Sequence, residues 1–294
     1  MDSQLLPERH FSRFINRCLL WAQTHEWKGK HRFYLWMSKR FGQRLVRYQV
    51  DERFFSVPLT ELCFWLEGGP NNYYLNEFVP FCEKLSQLKV PFTFFDLGAD
   101  IGTVSSLVAS RCDNLHNIIA FEPNPNSFPI LQCNLTQFNV QTLALNLAVS
   151  DFDGKASLNA DLSKVNDHEG QIVRTDTGSV EVVSLDEWIS EQAKVELCEA
   201  LVVKIDVEGQ EQQVIAGAAN MLSQAKIVVI LLEIHPGVLS DTNTTPEALF
   251  LQAESLRPFT WHVPAVDKNI NRKEGFFNQF ESKQYDVIGI SNLL

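Results

Sequence analysis

The chain has 294 residues, of which 45% are hydrophobic and 11% aromatic. That supplies a large core and excludes a disordered or low-complexity protein. A net charge of −11, from 25 basic and 36 acidic residues, disfavours general nucleic-acid binding, which needs a basic face.

No apolar run reaches the roughly 18 residues of a membrane span. The start, MDSQLLPERHF, lacks a signal peptide's charged end, apolar stretch and cleavage site. Six cysteines (18, 63, 82, 112, 133 and 198) are scattered without CxxC pairs. A cytoplasmic protein with reduced, mostly buried thiols is expected.

Residues 1–53 hold 11 Lys/Arg against 5 Asp/Glu, so a basic head precedes an acidic body. Phe11, Phe14, Ile15, Cys18, Leu19 and Ala22 recur at helical spacing and predict an amphipathic helix. Its basic face either stays solvated or meets an anionic partner: a membrane surface, a phosphorylated glycan or the acidic body itself. From residue 92 short apolar runs take over: Phe92–Phe95, Asn117–Phe121, Leu143–Val149, Leu201–Ile205 and Ile227–Leu232. Continuous runs of this length suit strands buried on both faces. Helical stretches lie between them. Asn124-Pro125 and Thr245-Pro246 read as helix starts, and Val214, Ile215, Ala218 and Leu222 as one helix stripe. Alternation of strand and helix predicts an α/β fold with a mostly parallel sheet. The stretch 151–198 breaks the rhythm with an Asp153-Gly154 turn, a strand over Ser179–Val183 and a helix from Leu185. It reads as a hairpin-like insertion that shapes a substrate site. Tyr285–Ile290 reads as the last strand.

Four runs are followed by an acid: Asp96, Glu122, Asp206 and Glu233. In an open α/β sheet, ligands bind outside the carboxyl ends of the strands. The turn Asp96-Leu97-Gly98-Ala99-Asp100-Ile101-Gly102 allows close approach to the backbone, but Asp100 replaces the middle glycine of GxGxxG. A carboxylate at Asp96 repels a diphosphate and attracts a sulfonium or an ammonium, which favours S-adenosylmethionine (SAM) over NAD. Glu122, at a solvent-accessible edge, is placed to accept the hydroxyls of a ribose. Past the fourth and fifth runs, extended backbone would pair Asp206 with Glu208 and Glu233 with His235. His235 is then a candidate base for a substrate hydroxyl, and the carboxylates a candidate Mg²⁺ site, the less favoured reading. Glu208 as a helix-start acid, Lys204 as a buried ion-pair partner and His235 as a structural residue are the plainer alternatives.

FFDLGADIG, AFEPNP, LAVSD, VVSLDEW, LVVKIDVEGQE and LLEIH stand in this order, and over residues 92–235 the chain resembles the FkbM family of SAM-dependent methyltransferases. The resemblance implies a class I methyltransferase fold, Rossmann-like, with a seven-stranded sheet and an antiparallel last strand. It implies methylation of a hydroxyl on a sugar, glycan or secondary metabolite. Asp96, Gly98, Ala99 and Gly102 would form the SAM loop, Glu122 would hold the ribose, and Val149, Ser150 and Asp151 would lie near the adenine. Asp206 and Glu208 would sit by the transferred methyl or the substrate. The absence of an Asn/Asp-Pro-Pro-aromatic turn at Asp206–Gly209 argues against nucleic-acid bases as acceptors. A helical, basic extension over 1–91 precedes a methyltransferase domain over 92–294. A NAD-dependent oxidoreductase and a non-catalytic interaction module are the competing readings.

Overall fold

The computed structural model describes residues 9–50, 53–61, 65, 75–162, 170–192 and 195–291. The head opens with α1 (Arg13–Thr24), capped by Ser12, whose Oγ accepts from the Ile15 amide. Next come α2 (Lys30–Phe41), the antiparallel pair β1 (Leu45–Val50) and β2 (Arg53–Pro58), and α3 (Leu75–Ser86). The head is therefore helical with a two-stranded element that its composition does not announce.

The body follows as β3 (Phe92–Leu97), α4 (Thr103–Arg111), β4 (Leu115–Phe121), α5 (Phe128–Leu135), β5 (Gln141–Leu145) and β6 (Ala148–Val149). The insertion holds β7 (Gly154–Asn159), β8 (Gln171–Arg174), β9 (Val180–Val183) and α6 (Leu185–Glu191). After it come β10 (Ala200–Ile205), α7 (Glu211–Gly217), α8 (Ala219–Gln224), β11 (Ile227–Ile234), α9 (Pro236–Asp241), α10 (Pro246–Leu256), β12 (Phe259–Val263), β13 (Lys268–Asn269), α11 (Phe276–Gln279) and β14 (Tyr285–Ser291).

The main sheet runs β13-β12-β14-β11-β10-β3-β4-β5. β5, β4, β3, β10 and β11 are mutually parallel, and β14 lies antiparallel between β11 and β12. The expected seven strands are present, and the two-residue β13 adds an eighth at the edge. Successive residues of β3 face opposite sides: Phe92 and Phe94 join one core, Phe95 and Leu97 the other. Burying a phenylalanine there contributes about 2–3 kcal/mol. The first core also contains Leu19, Tyr34, Leu45, Val57 and Trp65, so the head covers one face of the sheet together with α4 and α5. Asn134 bolts the two parts together. Its Nδ2 donates to the carbonyls of Ser56 and Ile101, and its Oδ1 accepts from the Ser56 amide.

Three local expectations are corrected. Leu143–Val149 is not one strand: β5 stops at Leu145, and Asn146 Nδ2 donates to the carbonyls of Glu122 and Pro123, turning the chain out of the sheet. Ala148–Val149 then joins β9 in a separate four-stranded sheet, β6-β9-β7-β8. Asn124 does not cap α5. Its Oδ1 accepts from the Asn126 amide, and the helix starts after Ser127. The apolar stripe of α1 is only partly inward, with Leu19 and Ala22 buried while Phe14 and Cys18 are exposed.

Candidate active site

The carboxyl ends of β3, β4, β10 and β11 open on a cavity of about 870 Å³. Gly98, Ala99, Asp100 and Glu122 line one side, and Asp206, Glu208, Glu233 and His235 another. The head contributes Glu61 and Phe78, and the insertion Leu158, Asn159, Gln171 and Ile172. Val149 lines the cavity, whereas Gly102, Ser150 and Asp151 do not appear among its walls. Gly102 instead starts α4 at φ 84°, and Ser150 is buried. Asp151 lies exposed at the head of the insertion.

Gly98 is required for geometry. It sits at φ 75°, and a Cβ there would stand 1.8 Å from the Asp206 carbonyl oxygen. The glycine lets the β3–α4 turn pack directly on the end of β10. Asp100 carries the left-handed conformation at φ 46°, and its Oδ1 accepts from Ser127 Oγ.

Asp96 is a correction. Its side chain is fully buried and does not line the cavity. The β3–β10 register sets it beside Lys204, whose Nζ lies 3.5 Å away, and its Oδ2 accepts from Ser105 Oγ at 2.6 Å. Lys204 Nζ also lies 2.9 Å from Asp206 Oδ2 and donates to the Gly98 carbonyl. Burial alone would depress this ammonium, but Asp206 and Asp96 hold it charged and above its ordinary value. Lys204 thus neutralises Asp96 and ties the glycine turn to β10.

Glu122 is buried rather than at an open edge. Its Oε2 accepts from the Asp100 amide and its Oε1 from the Asn124 amide, both at 2.7 Å. Burial first, then the Asp100 charge, pushes its carboxyl up to about 8. It therefore shapes the loop as well as facing the cavity.

Carboxylate oxygens of Asp206, Glu208 and Glu233 all lie within 4.8 Å of one another. Extended backbone does not achieve this: Glu208 is left-handed at φ 51°, followed by Gly209 at 98°. A non-glycine residue in that region is strained, and such strain concentrates at functional turns. Burial and then the neighbouring Asp206 charge push Glu233 up to about 11. Gln284 Nε2 donates to Glu233 Oε1. Burial opposes ionisation of Asp206, but Lys204 and the hydrogen bond from Glu233 outweigh it and hold it below the usual carboxylate range. The pair carries one proton, on Glu233, and leaves Asp206 an anion. The three carboxylates offer the oxygen chemistry Mg²⁺ prefers. The Lys204 ammonium already pairs with Asp206 Oδ2 at 2.9 Å, which leaves a divalent ion less charge to gain from this set.

His235 lines the cavity, but its Nδ1 accepts from the Val238 amide at 3.2 Å and caps α9. That bond puts the proton of the neutral ring on Nε2, which makes Nε2 a donor rather than a base. Lys204 is the buried ion-pair partner that the plainer sequence reading allowed, and its bond to the Gly98 carbonyl adds the tie to the glycine turn. The sequence reading missed Asp100, Asn124 and the head residue Glu61 as cavity walls.

A parallel sheet with a reversed strand between its fifth and sixth members, and a glycine turn at the end of its first, defines a class I methyltransferase. The Methyltransferase FkbM domain matches residues 96–253, and the chain belongs to this family. It is 30% identical over 144 residues to the hexuronic acid methyltransferase AglP of Haloferax volcanii. That match covers 49% of this chain and 56% of the relative, so the chain spans little more than half of that protein. A methyltransferase FkbM from Methylobacillus flagellatus is 15% identical with a TM-score of 0.44, over 79% of this chain and 53% of that one. M. jannaschii TYW2, solved with AdoMet, is 11% identical with a TM-score of 0.40, over 84% of each chain.

Proposed function

We propose that this chain transfers the methyl group of SAM to a hydroxyl group of a sugar or glycan. One observation carries the reading: a single cavity joins the glycine turn and Glu122 to the Asp206–Glu208–Glu233 cluster. Its one lysine among the described residues, Lys204, is already paired with Asp96 and Asp206. Such a wall suits a cationic donor and, among the described residues, gives a diphosphate no free cation to meet. The same wall, rather than Asp96 alone, weighs against NAD. SAM supplies an electrophilic methyl on a sulfonium.

The residues do the rest. The backbone of Gly98 to Asp100 and the carboxyl of Glu122 shape the donor side. Asp206, the anionic member of its pair, accepts the proton of the acceptor hydroxyl, an effect typically of about 10² to 10⁴ in rate. Lys204 holds Asp206 in place. Asn159 and Gln171 from the insertion, with Glu61 from the head, supply hydrogen-bonding groups to orient a polyhydroxylated acceptor. The kinship to a hexuronic acid methyltransferase supports the sugar class.

The test is methyl transfer from labelled SAM to a panel of hexuronic acids and hexuronate-containing glycans, with wild type and Asp206→Asn. The wild type labels at least one member; the variant loses about a hundredfold or more in turnover and keeps SAM affinity within a few-fold. Full turnover by Asp206→Asn would remove it as the base. Turnover is expected to persist in EDTA.

A further inference from the structure

We propose that α1 and α2 lay an aromatic, basic surface on an anionic lipid bilayer. The two helices face the core with Leu19, Ala22, Tyr34 and Met37 and turn a second apolar face outward. Phe14 is 76% exposed, Trp21 62% and Trp36 58%. Single exposed apolar residues are ordinary, but Phe14, Cys18 and Trp21 stripe the open side of α1 at helical spacing, and on α2 Trp36 extends a run of rings that packs on the core. Trp27 meets Phe33 at 5.5 Å, Phe33 meets Trp36 at 6.4 Å, Trp36 meets Phe41 at 6.2 Å, and Phe41 meets Phe11 at 6.2 Å between centroids. The Arg40 guanidinium lies 5.7 Å from the Phe41 ring centroid.

Charge selects the occupant. Residues 9–50 contain ten Lys/Arg and one acid, Glu26. A second copy would bring two such faces together and repel. The acidic body of the same chain leaves Lys28, Arg32, Lys39 and Arg40 exposed. A soluble polyanion would satisfy the cations but leave the tryptophans in water. An anionic bilayer answers both: tryptophan rings sit at headgroup level, and Lys/Arg stems lie along the surface with their charges at the phosphates. No described helix is long and apolar enough to cross a membrane.

The experiment is sedimentation of the full chain with vesicles of phosphatidylcholine alone, or phosphatidylcholine with about 30% phosphatidylglycerol, at low and high salt. The expected result is partition onto the anionic vesicles at least about tenfold above the neutral ones, falling at high salt within the Debye limit. Trp21→Ser/Trp36→Ser and Lys39→Glu/Arg40→Glu are each expected to lower that partition about tenfold or more with an unchanged thermal midpoint. Equal partition of the wild type on both vesicles overturns the proposal, with no variant needed. So does retention of binding by both double variants. Polyglutamate binding as tight as vesicle binding, and indifferent to the tryptophan changes, would mark a polyanion site and overturn it too.

Discussion

Lys204 shows how a single residue organises this site. It stands opposite Asp96 in the β3–β10 register and reaches Asp206 and the Gly98 carbonyl. Removing it leaves a buried carboxylate unpaired. Lys204→Met is expected to cost about 3–5 kcal/mol. Asp96→Asn in the same chain is expected to restore much of that. Denaturant unfolding of the single and double variants checks this; additive losses would contradict the coupling. Glu122 gives a pH signature. Its folded carboxyl sits at about 8, above the ordinary 4.5, so the folded chain holds a proton that the unfolded chain has released. Its contribution to stability is therefore present at low pH and is lost as pH rises from about 4.5 to 8. Thermal midpoints across that range should fall more steeply for wild type than for Glu122→Gln; parallel curves would contradict the assignment. At His235 the asparagine variant separates cap from base. His235→Asn keeps a capping oxygen and is expected to keep turnover within a few-fold, where a catalytic base would lose a hundredfold or more.

At the scale of elements, legibility followed the physics of burial. β3, β4, β10 and β11 read clearly because strands covered on both faces are continuous apolar runs. β12 did not: it is five residues long and only alternates in burial, unlike the continuous runs, and it pairs with β14 and the short β13 near the sheet edge. The Asp206–Glu208 pairing was anticipated, but by the wrong geometry, because a left-handed glutamate cannot be read from spacing. The orientation of Asp96 was equally hidden, since it depends on which strand lies next to β3. Trp188, Trp261 and Tyr73 carry rings that suit a sugar, with core packing the plainer role; Trp188 and Trp261 are buried in the core, and Tyr73 lies outside the described residues. Asn134 joins elements that no local pattern connects. Asn134→Ala removes three buried hydrogen bonds between β2, α5 and the turn after β3. It is expected to cost about 2–4 kcal/mol and to weaken SAM binding by loosening that turn. Urea unfolding with SAM titration checks both; an intact affinity would uncouple head from loop.

Across the whole molecule, the acidic body and the basic head divide two tasks. The body concentrates carboxyl groups at one sheet edge, and the insertion and head close the cavity around it. The head is not an appendage, because its buried residues share a core with the sheet. The most direct test of the account is calorimetric titration of the full chain with SAM and with NAD at the same pH and salt. The account predicts saturable SAM binding and none for NAD. Binding of NAD without SAM would contradict the donor site and everything derived from it.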